Sequence, residues 1–216
     1  MTSEGDNYFV RIDDTLVGRR AGGSAAEKAN ELRSQRPVRN ALDRLQGKKT
    51  DERAWRKGAR GERVNGWWLG RLPAGWHVFH DIPVGQRGAN IDHVVVGSAG
   101  VFTVNTKNVS GRVWLAPREL RVDGHKTDWL PKAAHEATDA SKRLTAVLGR
   151  TPPVKGVLAI LADDWTIKEK PADVHVGTPR GVKQWLVKQS AVLTPREVNE
   201  IAAAINKPST RTGTPR

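Results

Sequence analysis

Apolar positions are sparse over the first fifty residues and become periodic from Asp51, so the pattern places the folded domain over residues 51–206. Residues 1–24 mix Gly, Ser and Asp, contain the linker-like Gly22-Gly23-Ser24, and read as a disordered N-terminal tail. Residues 25–50 are helix-permissive but broken at Pro37, with Leu32, Leu42 and Leu45 too sparse for a core face; they read as a basic helical arm. Residues 207–216 carry the Pro, Ser, Thr and Gly of a disordered basic tail.

Within the domain a first helix is predicted from Asp51 to about Leu72, stopping before Pro73. On its wheel Trp55, Ala59, Glu62, Gly66 and Leu69 share one arc, which turns Glu62 inward. Strands follow over 76–82, 90–96 and 101–107, the last two joined by the turn Gly97-Ser98-Ala99-Gly100. Residues 112–115 and 119–122 read as a further hairpin, with Asp123-Gly124 marking the next turn. A second helix is predicted over 133–148, stopped by Gly149, and a buried-type strand over 154–161, with a short one over 174–176. Thr178-Pro179 and Thr194-Pro195 each read as an N-cap followed by proline at the first helical position, and Thr194 with Glu197 forms a capping box. This order predicts an α/β fold, a mixed central sheet flanked by helices.

Composition narrows the function. With no cysteine among 216 residues, disulfides, thiolate metal sites and a thiol nucleophile are excluded. No apolar run approaches the ~20 residues of a membrane span, and the N-terminus lacks a signal peptide's apolar core, so a cytoplasmic protein with no membrane association is expected. The formal net charge of +13 points to a polyanionic partner, nucleic acid first of all. Much of that charge lies before and at the start of the domain: residues 28–60 hold eleven Lys or Arg against four acids. Arg53, Arg56, Lys57 and Arg60 fall on the first predicted helix and are the candidate nucleic-acid contacts. There is no HExxH, no GxSxG and no P-loop, so zinc proteolysis, acyl transfer and P-loop nucleotide binding have no footing.

The candidate chemistry lies on two strands. Side chains two apart on a strand share a face, so Asn105 and Lys107 project together, while Asp92 shares its face with Asn90, Val94 and Val96. A carboxylate among valines is costly unless it has a partner or a metal. If the two strands pair, Asp92 and Lys107 converge, with Glu62 brought in by the first helix. Two carboxylates and an ammonium suit Mg²⁺- or Mn²⁺-assisted phosphodiester hydrolysis. The plainer readings make Asp92 an acceptor of backbone N–H groups at a strand edge, Lys107 a snorkelling strand-end lysine and Glu62 a surface helix residue. His93, on the opposite face, reads as a core histidine.

Gly58-Ala59-Arg60-Gly61-Glu62, Asn90-Ile91-Asp92-His93 and Gly100-Val101-Phe102-Thr103-Val104-Asn105-Thr106-Lys107, at this spacing, resemble the nuclease-related domain (NERD) family of the restriction-endonuclease-like PD-(D/E)XK superfamily. The stretch 114–137, with Gly124-His125-Lys126-Thr127-Asp128-Trp129 and His135-Glu136-Ala137, is similar to one subgroup of it, and the likeness runs over about residues 55–148. The resemblance implies a restriction-endonuclease-like core, catalytic roles for Glu62, Asp92 and Lys107, and a divalent cation, Mg²⁺ or Mn²⁺, held by Asp92, Glu62 and Asn105. It implies a nuclease acting on DNA in preference to RNA. One departure matters: the superfamily places an acid two before the lysine, and here Asn105 stands there. An amide oxygen ligates a hard cation but brings no charge, so a weakened site is expected, with Glu136 and His135 as auxiliary candidates. The alternative is a catalytically silent member that binds nucleic acid or a protein partner.

Overall fold

A computed structural model of the chain describes residues 19–35, 51–84 and 89–207; the expected tails over 1–18 and 208–216, and the second part of the expected arm, lie outside the described residues. The order is α1 (Gly23–Gln35), α2 (Asp51–Leu69), β1 (His77–Val84), β2 (Ala89–Gly97), β3 (Gly100–Asn108), β4 (Arg112–Ala116), β5 (Glu119–Val122), β6 (His125–Lys126), α3 (Trp129–Leu148), β7 (Val154–Leu161), β8 (Asp164–Ile167), β9 (Val174–Gly177), α4 (Pro179–Val187) and α5 (Pro195–Asn206). This is a mixed α/β fold, consistent with a restriction-endonuclease-like core. Among the described residues no helix is long and apolar enough to cross a membrane.

The main sheet has the order β1-β2-β3-β7-β9. β1, β2 and β3 pair antiparallel, whereas β3, β7 and β9 pair parallel, so β3 is both the middle strand and the point where direction changes. Its alternate residues feed two cores. Val101 joins Phe79, Val94 and Val96 beneath Leu144 of α3 and Val198, Ile201 and Ile205 of α5. On the other face Phe102 and Val104 join Val95, Val157 and Ala159 beneath Leu69 of α2 and Val182 and Leu186 of α4. Each large aliphatic side chain buried this way contributes ~1.5–3 kcal/mol relative to exposure, which fixes the strand register and, with it, the direction of the polar residues beyond Val104.

A second sheet, β6-β5-β4-β8, rests against α3 and β7 through Val113, Leu115, Leu120, Leu130, Leu158 and Ile160. The sequence pattern gives its β4–β5 hairpin but not β8, which pairs parallel with β4 from Arg112↔Asp164 to Leu115↔Ile167. With Ile167 exposed and Trp165 only half-buried, β8 shows little hydrophobic alternation. α3 starts at Trp129, four residues before the predicted start, because Leu130 and Ala133 are both buried and Pro131 lies in the first turn, where a missing N–H costs little. Both predicted proline-started helices form: Thr178 accepts from the Gly181 N–H, and Thr194 and Glu197 make the reciprocal capping box.

The start of the domain differs from the sequence reading. α1 begins at Gly23, inside the expected tail, and packs on α2 with Ala25 buried. Gly22 has φ +76°, and a Cβ there would stand 2.6 Å from the carbonyl oxygen of Ala59. Only glycine permits both. Residues 19–35 therefore belong with the domain, through a backbone-close contact that leaves no hydrophobic stripe to read.

Candidate active site

The site forms where the middle strand leaves one neighbour and keeps the other. The β2–β3 ladder ends at His93↔Val104, while β3 remains paired to β7 as far as Asn108↔Leu161. Beyond Val104 the N–H of Thr106 donates instead to Oδ2 of Asp92 at 2.6 Å. Asp92 thus fills the fork between two parting strands, and the plainer reading, an acceptor of backbone N–H, describes part of its role.

α2 crosses this fork closely. Asn108 donates to the carbonyl of Lys57 at 2.9 Å, and Asn65 donates to Thr106 Oγ1 at 3.0 Å. A Cβ on Gly61 would lie 2.9 Å from Asn108 Cβ, so the glycine sets how near the helix comes and carries Glu62, the next residue, to the strand end. The inward arc of α2 begins later than the wheel suggests: Trp55 is exposed, Ala59 and Leu69 are buried, and Glu62 is half-buried.

Electrostatics join the residues. Burial pushes Glu62 up to about 7, helped by the negative charges of Asp92 and Asp81 and opposed by Lys107 and the Gly22 N–H. Burial likewise pushes Asp92 up to about 6, against the Thr106 N–H and Lys107 and with the repulsion of Glu136 and Asp81. Glu136 is half-buried and raised, chiefly by burial, while its bond from Asn105, Lys107 and His135 lower it. Lys107, half-buried at the end of β3 with its Nζ 5.8 Å from the centre of the Trp129 ring, is therefore the cation common to Glu62, Asp92 and Glu136. The Asn105 amide donates to Glu136 Oε2, so the helix carboxylate stands against the position where the superfamily keeps its acid. His135 is exposed beside it.

Among the described residues no three His, Cys, Asp or Glu side chains come together as a metal-holding group. The oxygen donors at the fork are the carboxylates of Glu62 and Asp92 and the amide oxygen of Asn105, with the Glu136 carboxylate engaged by the Asn105 amide. That set is thin for Ca²⁺ but suits Mg²⁺, which keeps several waters and is commonly held by one or two carboxylates. His93 is no part of it: fully buried and pushed down to about 3, it shares a 2.8 Å Nδ1–Nδ1 hydrogen bond with His80 and lies 3.5 Å from Thr106 Oγ1.

Arg56, Lys57 and Arg60 line a cleft of about 790 Å³ beside the fork, with Asn108, Leu161 and Pro179 among its other walls. The side chain of Arg53 lies outside the described residues.

Sequence reasoning missed Asp81. It lies buried in β1 at φ +54°, its carboxylate accepting from the Ser24 hydroxyl, from the Ser24 N–H at 3.2 Å and from Asn90 at 2.7 Å, with Arg19 3.6 Å away. It ties α1 to the sheet and adds negative charge behind Glu62 and Asp92. The signal was the same that marked Asp92, a carboxylate inside an apolar strand, but its partners come from the segment set aside as a tail.

Residues 57–161 match the family model of the nuclease-related domain; no curated protein and no solved structure matches the chain. The match begins within α2 and ends at the last residue of β7, so it takes in Glu62, Asp92, Asn105, Lys107 and Glu136 together. Over these residues the chain is similar to the nuclease-related domain family.

Proposed function

We propose that this protein hydrolyses phosphodiester bonds in DNA with the help of Mg²⁺ or Mn²⁺. The observation that carries the reading is the pair Glu62 and Asp92: two half-buried carboxylates from different elements, both raised by burial, Glu62 also by the charge of Asp92 and Asp92 by those of Glu136 and Asp81, beside Lys107 at the end of the central strand. Their repulsion is what a divalent cation would offset. Glu62 and Asp92 would hold the ion, with the Asn105 amide oxygen as a neutral third donor. When bound, it would supply Lewis-acid stabilisation of charge on the phosphate oxygens and make water a better nucleophile.

The chain's own groups do the rest. Lys107 holds the attacking water against the phosphorus and offsets negative charge as the new P–O bond forms and the bond to the leaving sugar oxygen breaks. The Thr106 N–H keeps Asp92 in one orientation, and the Gly22 N–H does the same for Glu62. Arg56, Lys57 and Arg60 offer cations for neighbouring phosphates.

A neutral Asn105 makes this a weakened site. Two observations favour a second reading, a silent scaffold that binds nucleic acid or a protein partner: the Asn105 amide is engaged with Glu136, and among the described residues the acids do not gather as a group of three. The deciding experiment incubates end-labelled single- and double-stranded DNA with the protein, with and without millimolar Mn²⁺. Cleavage that requires the ion is expected; intact DNA under all conditions would leave the silent reading.

A further inference from the structure

The basic cleft continues past Arg60 along α2. Arg56, Arg60, Val64 and Trp68 are spaced four apart and so form one ridge of the helix, of which the first three line the cleft. α4 closes the opposite side: its Pro179 lines the cleft, and the next residue, Arg180, places its guanidinium carbon 5.9 Å from the centre of the Trp68 ring. At the end of the ridge Trp67 is 52% exposed. It is held rigidly there, with Trp68 edge-on at 4.8 Å and the Arg71 guanidinium 3.2 Å over its ring, while Arg71 also donates to its carbonyl at 2.7 Å. A large aromatic ring fixed in water beside a row of cations does no work for the core. At the other end the cleft is walled by Asn108 at the end of β3, whose side chain faces α2, opposite to that of Lys107.

We infer that the groove between α2 and α4 takes single-stranded nucleic acid, phosphates on Arg56, Lys57, Arg60 and Arg180 and a base stacked on Trp67, with the strand running to the end of β3, where it would turn around the strand end toward Lys107. This deepens the phosphodiesterase reading and rests on it for the strand's destination. Cations that follow a backbone together with an aromatic platform are the combination that binds unpaired strands regardless of sequence. Among the described residues, Asp163 is the only acid in the cleft walls. A cleft of about 790 Å³ has the capacity of a small-ligand site, enough to seat a short stretch of one strand. In a duplex the bases are already stacked, so Trp67 has no free base face to meet without unpairing one.

The test is fluorescence anisotropy on the full chain in EDTA, so that cutting does not enter and a failure here is separable from a failure of the metal site. The probes are a labelled oligothymidine of about twelve nucleotides, the uridine ribo-oligomer of the same length and a duplex of that length. The single strands should bind about ten-fold or more tighter than the duplex, and the two oligomers show whether the groove prefers DNA or RNA. Trp67→Ala should lose roughly five- to ten-fold in single-strand affinity, with Trp67→Phe retaining most of it. Arg60→Ala with Arg180→Ala should weaken binding by about ten-fold and lower the slope of log affinity against log salt by roughly one to two. All three side chains are exposed, so these variants keep the fold, which an unchanged melting temperature verifies. A duplex bound as tightly as the single strands, or a Trp67→Ala protein that binds like wild type, would overturn the inference.

Discussion

Asn105→Asp lowers the melting temperature of the metal-free protein at pH 8, and Mn²⁺ restores it while speeding DNA cleavage. The Asn105 amide donates to Glu136. An aspartate there loses the donor and sets a like charge against a half-buried carboxylate, which costs on the order of 1–3 kcal/mol. For a domain of this size that is a fall of roughly 3–10 °C. The same carboxylate supplies the charge that the superfamily position lacks, so a divalent ion binds more tightly and the stability returns through mass action. Cleavage rises with metal affinity because the added anion strengthens both ion retention and the polarisation of water. Adding Glu136→Gln to Asn105→Asp exchanges the two groups and restores a donor–acceptor pair. The double variant should therefore recover most of the metal-free stability and keep the gain in metal binding. Thermal melts of wild type and the two variants, with and without Mn²⁺, read all of this. An Asn105→Asp protein that neither loses stability without metal nor gains it with metal would remove position 105 from the site.

Asp92 and Glu62 together destabilise the metal-free fold increasingly as pH rises from about 4 to about 7, against the opposite contribution of the buried His93, and Mn²⁺ offsets the share of the two carboxylates. The folded values of Asp92, moved from 3.8 to about 6, and Glu62, moved from 4.5 to about 7, both lie above the unfolded ones. Below the unfolded values both groups are protonated in either state and cost nothing. Between the two limits the folded chain retains protons that the unfolded chain has released, so each step up in pH favours unfolding. Above the folded values the penalty is complete. At ~1.4 kcal/mol per unit the Asp92 shift alone corresponds to about 3 kcal/mol; Glu62, half-buried on α2, is more screened and adds less. Between pH 5 and pH 8 this amounts to roughly 5–10 °C in melting temperature. Mn²⁺ binds the ionised pair, so its stabilisation should be large at pH 8 and small at pH 5. Subtracting the melting curves of Asp92→Asn isolates the contribution from other titrating groups. If wild type and Asp92→Asn change in stability in parallel over this range, Asp92 is not the raised group.

Much of the site was legible because it depends on parity. Once Val94, Val96 and Val101 are assigned to a core face, Asp92, Asn105 and Lys107 must point the same way, whatever else the fold does. The caps at Thr178 and Thr194 were legible for a similar reason, a local hydrogen bond with a local motif. Close backbone contacts were not. Gly22 against Ala59 and Gly61 against Asn108 position α1 and α2, yet a glycine that lets two backbones approach reads in sequence like a glycine in a linker. Asp81 went unnoticed with them, since its partners Ser24 and Asn90 lie 57 and 9 residues away. The fork itself depends on β3 staying with β7 while leaving β2, a pairing choice that no single strand's pattern encodes. β8 was hidden because an edge strand with one half-buried face needs little hydrophobic alternation.

The central claim, that Glu62 and Asp92 together hold a divalent ion beside Lys107, is tested most directly by titrating the protein with Mn²⁺ and following the free ion by electron paramagnetic resonance at pH 8. Wild type should bind one Mn²⁺ per chain in the micromolar to millimolar range, with affinity reduced about ten-fold or more by Asp92→Asn and by Glu62→Gln. Lys107→Ala should leave binding intact or tighter, because it removes a competing positive charge. A wild-type protein that takes up no Mn²⁺ at millimolar concentration, or one whose binding survives both carboxylate substitutions, would contradict the account.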